Sequence, residues 1–308
     1  MSKGKILVTP RSMSKNGHPF LKNLEEAGYE VLTPFPGKQP SKEELLSVLP
    51  ECTGYLAGVE KVDADVINAC DKLKVISRNG VGIDNVDRAV AEAKDITLCI
   101  TPGANSRGVA ELAITLMLSA LRSIPQTSDS VKNGGWARTK GQEVYGRTLG
   151  VIGTGQIGRH VAKMAAGLDM KVLGYDLYPN TEFEQQMHDF SYASVEDVLK
   201  NSDVVTLHCP AGEKPLIDGD ALKSMKKGVT LINTARAALV DQDALLEALE
   251  SGQVSSYAVD AFESEPPELT PLLLHPRVIL SSHIGGFTEE SVDRATAAAI
   301  QNIIDELK

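Results

Sequence analysis

Short apolar runs that stop at glycine, proline or an acid alternate along this chain with stretches whose apolar residues fall three and four apart. In the first hundred residues the runs at 5–9, 30–32, 54–57 and 73–77 read as strands, and the stretches at 20–27, 43–48 and 65–70 as helices. That alternation predicts a parallel sheet covered by helices. The breaker cluster Thr101-Pro102-Gly103-Ala104-Asn105 then predicts a crossing between domains. Beyond it, Val109, Leu112, Ala113, Leu116, Met117, Ala120, Leu121 and Ile124 mark one apolar helix face, and Ala110, Ile114 and Leu118 leave only a narrow polar stripe. Such a helix must bury more than one side, between domains or against a second subunit, while Glu111 and Arg122 exclude a membrane span.

Further strands at 149–152, 170–175, 203–207, 229–233, 256–260 and 278–281, separated by helices such as 194–200 and 242–251, predict a six-stranded nucleotide-binding sheet. The first of these strands runs into Gly153-Thr154-Gly155-Gln156-Ile157-Gly158, which fits the dinucleotide fingerprint G-x-G-x-x-G. Gly153 permits a tight turn, Gly155 lets a pyrophosphate approach bare backbone, and Gly158 lets the following helix pack close, with the phosphates at the helix N-terminus. The next strand delivers Asp176 about 20 residues on, where a carboxylate can accept hydrogen bonds from both ribose hydroxyls. A 2′-phosphate would meet like charge there, and Leu177 and Tyr178 offer no cation, so the expected cofactor is NAD. Glycine turns are common, but here strand, helix, second strand and acid arrive in register. An earlier stretch, Arg78-Asn79-Gly80-Val81-Gly82-Ile83-Asp84-Asn85, has Asn85 where a second fingerprint would need glycine, and reads as a ligand-facing loop.

A chain of 308 residues exceeds what one core of roughly 250 to 300 residues holds, which predicts two domains. Lys plus Arg total 31 against 41 Asp plus Glu, and with no basic cluster nucleic acid is not an expected partner. The N-terminus leads directly into a strand without an apolar signal core, and no stretch has bilayer length, so the expected location is the cytoplasm with no membrane partner. Cys52, Cys70, Cys99 and Cys209 lack C-x-x-C spacing, which implies neither a disulfide framework nor a metal site.

Ligands of such a sheet sit at the carboxyl ends of its strands. Just past those ends stand His208-Cys209-Pro210, Thr234-Ala235-Arg236, Asp260 with Glu265, and His283-Ile284-Gly285-Gly286. An arginine, an acid and a histidine thus converge on one crevice. Hydride exchange with NAD requires a proton to join or leave the partner oxygen, and histidine suits that task. Glu265 would stabilise the imidazolium and fix the ring, and Arg236 can polarise a carbonyl or grip a carboxylate. Each residue alone has a bland reading, Arg236 as an ion pair, Glu265 as a loop acid and His283 as a strand-end histidine; their common placement favours catalysis. His208 reads as lining the cofactor cleft, and His18, His160, His188 and His275 have no such setting.

At these residues the chain resembles the D-isomer-specific 2-hydroxyacid dehydrogenases, most closely their phosphoglycerate dehydrogenase branch. The resemblance runs through the 79–87 loop, Asn105-Ser106-Arg107-Gly108-Val109-Ala110-Glu111, the Gly153 turn, Asn233-Thr234-Ala235-Arg236, the segment 260–266 and His283-Ile284-Gly285-Gly286. It implies Arg236, Glu265 and His283 as the catalytic arginine, acid and acid–base histidine. It implies Asn79, Gly80 and Val81 as a cradle for the substrate carboxylate, and Gln156, Ile157, Asp176, Cys209, Thr234 and Asp260 as NAD contacts, with Pro210, Ala235, Gly285 and Gly286 beside them. The implied fold is α/β with two doubly wound parallel-sheet domains: a Rossmann NAD-binding domain at 104–286 inserted into a flavodoxin-like substrate domain made of 1–103 and 287–308, usually as a homodimer.

Two departures bear on the substrate. Ala237 follows Arg236 where the family commonly has glycine, and Ala57 aligns with an arginine that holds the substrate phosphate in phosphoglycerate dehydrogenases. Lys61 and Arg138 are the remaining candidate cations, and the regulatory domain of some relatives is not expected. D-3-phosphoglycerate, glyoxylate, hydroxypyruvate or another small 2-oxo acid therefore stay open as substrates. A non-catalytic NAD-sensing protein like the family's corepressor is the rival reading, against which the complete trio stands; Glu265 argues against formate dehydrogenase.

Overall fold

The computed structural model describes residues 2–308, which form two compact units, 2–105 with Glu289–Lys308 and Ser106–Thr288. The first holds five strands, β1 (Lys5–Val8), β2 (Glu30–Leu32), β3 (Gly54–Ala57), β4 (Val75–Arg78) and β5 (Thr97–Cys99). All pair in parallel, in the order β2-β1-β3-β4-β5. That is the flavodoxin-like order. Alternation along β1 sends Leu7 to one face, with Tyr55, Ala57 and Ile76 under the helices 42–48 and 64–68, and Ile6 and Val8 to the other, under Ala299, Ile300 and Ile303. The helix Glu289–Glu306 thus completes the sheet formed by the start of the chain.

The second unit holds β6 (Thr148–Ile152), β7 (Lys171–Tyr175), β8 (Phe190–Tyr192), β9 (Val204–Leu207), β10 (Val229–Asn233), β11 (Val254–Val259) and β12 (Val278–Leu280). Their order is β12-β11-β10-β9-β6-β7-β8, again all parallel. The sheet has seven strands where the sequence pattern predicts six. The extra one, β8, is a three-residue edge strand, Phe190-Ser191-Tyr192, without the aliphatic run that marks β2, and packing holds it in place. A side chain at Gly174 would come within 2.5 Å of the Phe190 ring, and Phe190 meets Phe183 and Tyr192 edge-on at 5.0 and 4.9 Å between centroids.

The apolar helix spans Ser106–Leu121 and turns through 65° into a second helix, Ile124–Lys132, at Ser123, whose φ is +50°. Its apolar face, Val109, Ala110, Ala113, Leu116, Met117 and Ala120, is buried and packs on the helix Gln156–Ala166 and on β10 and β11 of its own unit. Among the described residues no single helix is long and apolar enough to cross a membrane.

Candidate active site

The strand order of the second unit reverses between β6 and β9, and the glycine turn sits there. Gly153 has φ +91°, and a Cβ on it would lie 2.7 Å from the His208 carbonyl, so the turn and the end of β9 touch backbone to backbone. A Cβ on Gly158 would lie 2.0 Å from the Gly153 oxygen. Around Gly155, in contrast, nothing lies within 4 Å of that position, which leaves open space at the N-terminus of the helix that Gln156 and Ile157 begin. Asp176 follows β7, and its Oδ2 accepts the Thr154 N–H at 2.7 Å, which ties the acid to the turn. Thr234 Oγ1, just past β10, is buried without a partner, a polar atom that a bound group would satisfy. Turn, acid and orphaned hydroxyl fit a dinucleotide.

His208 bonds Thr206 Oγ1 through Nε2 at 2.9 Å, while its Nδ1 is buried and unpaired. Burial pushes its imidazolium down to about 3, so the ring is neutral at working pH and cannot carry the reaction's proton. The unfolded chain takes up a proton near pH 6.5 that the folded chain refuses until about pH 3, so acidification through that window favours unfolding. Between pH 7 and 5 this costs about 2 kcal/mol. A His208→Gln variant should therefore lose less thermal stability than the parent over that interval; equal losses would place the acid sensitivity elsewhere.

Arg236, Glu265 and His283 issue from the carboxyl ends of three adjacent strands, β10, β11 and β12. Asn233, fully buried, shapes the first of these loops: its Nδ2 donates to the Arg236 carbonyl at 2.8 Å and its Oδ1 accepts the Ala235 N–H at 3.1 Å. Tyr257 supplies its hydroxyl to the same Nδ2 at 3.3 Å. Ala237 opens a short 3₁₀ helix and is absent from the positive-φ residues, so glycine is not needed there. Past β12, His283 takes φ +53° and its Nδ1 meets Glu265 Oε1 at 2.6 Å. The carboxylate fixes the ring and occupies Nδ1, which leaves Nε2 to meet a substrate. Both side chains are about half-exposed.

Asp260, expected to touch NAD, also holds the turn past β12. Its Oδ1 accepts from Ser281 Oγ at 2.6 Å and the Ile284 N–H at 2.9 Å, and its Oδ2 accepts the Gly285 N–H at 2.8 Å. The buried carboxylate therefore pins the turn that carries His283. Asn233 and Ser281 are the positioning residues that the sequence reading missed. Asn233 was legible only as part of the Asn233–Arg236 motif. Cys209 is half-buried, Pro210 exposed, and Ala235 and Gly286 partly buried, all at the same strand ends.

In the first unit, Asn79, Gly80 and Val81 follow β4, with Gly80 at φ +153°. The cradle expected there is only partly open: the Asn79 N–H donates to the Ala57 carbonyl at 3.0 Å and the Gly80 N–H to that of Arg78 at 2.9 Å. Asn79 Oδ1 is buried and unpaired. Ala57 proves to be fully buried inside the end of β3, so the residue that edges this strand end is Val59, 60% exposed, instead. Lys61 is exposed, and Arg138 lies in an exposed stretch outside regular structure.

The family profile described as D-isomer specific 2-hydroxyacid dehydrogenase, NAD binding domain, matches residues 114–285. The chain belongs to this family. It is 41% identical over 289 residues to a D-3-phosphoglycerate dehydrogenase of Methanocaldococcus jannaschii, covering 92% of this chain and 54% of that one. It is 38% identical over 304 residues to a hydroxypyruvate reductase of Thermotoga maritima, covering 96% of each. The crystal structure of the TT0316 protein from Thermus thermophilus superposes with a TM-score of 0.88 at 32% identity, over 98% of this chain and 96% of that one. The chain spans about half the length of the phosphoglycerate dehydrogenases it matches.

Proposed function

We propose that this chain is an NAD-dependent oxidoreductase that interconverts a D-2-hydroxy acid and its 2-oxo acid. The observation that carries this reading is the 2.6 Å contact between His283 Nδ1 and Glu265 Oε1 at the carboxyl end of the nucleotide-binding sheet. NAD supplies or accepts the hydride when bound. His283 holds its Nδ1 proton toward Glu265 and gives the Nε2 proton to the carbonyl oxygen as that becomes a hydroxyl, taking it back in the reverse direction. Arg236 polarises the carbonyl and grips the substrate carboxylate with its planar fork.

The substrate we propose is a small unphosphorylated 2-oxo acid such as glyoxylate or hydroxypyruvate. Ala57, which aligns with the phosphate-holding arginine of phosphoglycerate dehydrogenases, is buried at the end of β3 and brings no charge, and the hydroxypyruvate reductase relative matches end to end. One charge-assisted hydrogen bond to phosphate is worth about 1.5 to 3 kcal/mol, or roughly 10- to 150-fold. Without it, 3-phosphohydroxypyruvate should show little advantage in kcat/KM over hydroxypyruvate when the two are compared side by side. A large preference for the phosphorylated compound would refute this substrate, and its loss in Arg138→Ala would identify the replacement cation.

A homodimer is the assembly we propose. Ile124, Val131, Trp136 and Tyr145 are 53, 52, 80 and 76% exposed along one stretch of chain, a density of apolar surface that a second copy would cover. A monomer's mass by light scattering would remove this assignment.

A further inference from the structure

The structure assigns Thr154 and Tyr192 as positioning residues that aim Asp176 and so set the choice between NAD and NADP. This rests on reading the glycine turn as the dinucleotide site and goes beyond it, because neither residue is needed by the fingerprint itself.

Asp176 is held from both sides. Its Oδ1 accepts the Tyr178 N–H at 2.9 Å, and its Oδ2 accepts the Thr154 N–H at 2.7 Å and the Thr154 hydroxyl at 3.2 Å. Thr154 is buried, and its Oγ1 also lies 2.9 Å from the Tyr192 hydroxyl, which in turn accepts the Asn180 N–H at 3.0 Å. The donor sequence has one consistent direction. A carboxylate only accepts, so the Thr154 proton points to Asp176 and the Tyr192 proton to Thr154. Asn180, Tyr192 and Thr154 therefore form a chain of donors that ends on the acid, each bond polarising the next.

The consequence is orientational. A free carboxylate at a strand end can rotate away from a ligand, whereas this one is fixed by hydrogen bonds from Thr154 and Tyr178, with a lone pair of Oδ1 left for a ribose hydroxyl. The same fixed charge cannot swing aside for a 2′-phosphate. Leu177 and Tyr178, 77 and 87% exposed, bring no cation to soften that repulsion. The edge strand β8 acquires a purpose from this arrangement, since Phe190 seats it against Gly174 and Tyr192 then reaches the turn.

The test is equilibrium titration of NADH and NADPH, followed by dinucleotide fluorescence, on the full chain and its variants. Thr154→Val removes the hydroxyl at constant shape. It should lower the NADH-over-NADPH preference about tenfold, the size of one hydrogen bond to a charged group. Thr154→Ser should restore the preference. Tyr192→Phe, which leaves the turn itself intact, should move the preference in the same direction by a smaller factor, and covers the case in which Thr154→Val does not fold. An unchanged preference in the folded variants, or equal weakening of both dinucleotides, would overturn the assignment. A parent that binds neither dinucleotide would instead overturn the nucleotide site on which it rests.

Discussion

Replacing His283 by asparagine should lower the rate of 2-oxo acid reduction by about 10² to 10⁴ and leave NADH affinity unchanged. Asparagine is the informative choice because His283 sits at φ +53°, a conformation that asparagine tolerates and most other residues resist. The turn is then preserved while the proton carrier is lost. The deficit should fall on kcat, since the transfer is made only in the transition state and the side chain contributes little to ground-state binding. Steady-state kinetics with glyoxylate and hydroxypyruvate, beside an NADH titration, separate the two. A variant within a factor of a few of its parent would move the proton carrier elsewhere. His208 could not take the role, because burial keeps it neutral.

What the sequence makes legible is local or periodic. The β6 run, its glycines and Asp176 belong to one βαβ unit, and a single stretch of 29 residues contains all three. Arg236, Glu265 and His283 were legible for a topological reason: in a parallel sheet every strand ends at the same edge, so residues just past the strands share a site whatever their separation. What escaped has neither property. β5 and β8 are three-residue edge strands that, unlike the equally short β2 and β12, carry no adjacent pair of aliphatic residues. The Thr154–Tyr192 bond spans 38 residues and has no periodic signature. Ala57 and Val59 are two residues apart at one strand end, yet only the fold shows which is buried and which is at the rim.

Asp260, expected from the sequence to touch NAD, also braces the turn that carries His283, and Asp260→Asn separates the two roles. Both oxygens of the buried carboxylate accept hydrogen bonds, from Ser281 Oγ and the Ile284 N–H on one side and from the Gly285 N–H on the other. An asparagine must turn its NH₂ toward one of these groups, which sets donor against donor at Ile284 or Gly285. With the residue 2% exposed, water cannot restore the lost bond, and the cost is about 1 to 3 kcal/mol. Relief comes from shifting the 281–285 turn, and His283 moves with it. A displacement of about 1 Å can cost about 10² in rate, so kcat should fall by roughly 10- to 100-fold. NADH affinity, measured by titration, should hold if the carboxylate serves the turn, and should fall in parallel with kcat if it serves the cofactor. A lowered melting temperature with kcat intact would make Asp260 a stabilising residue without influence on the histidine.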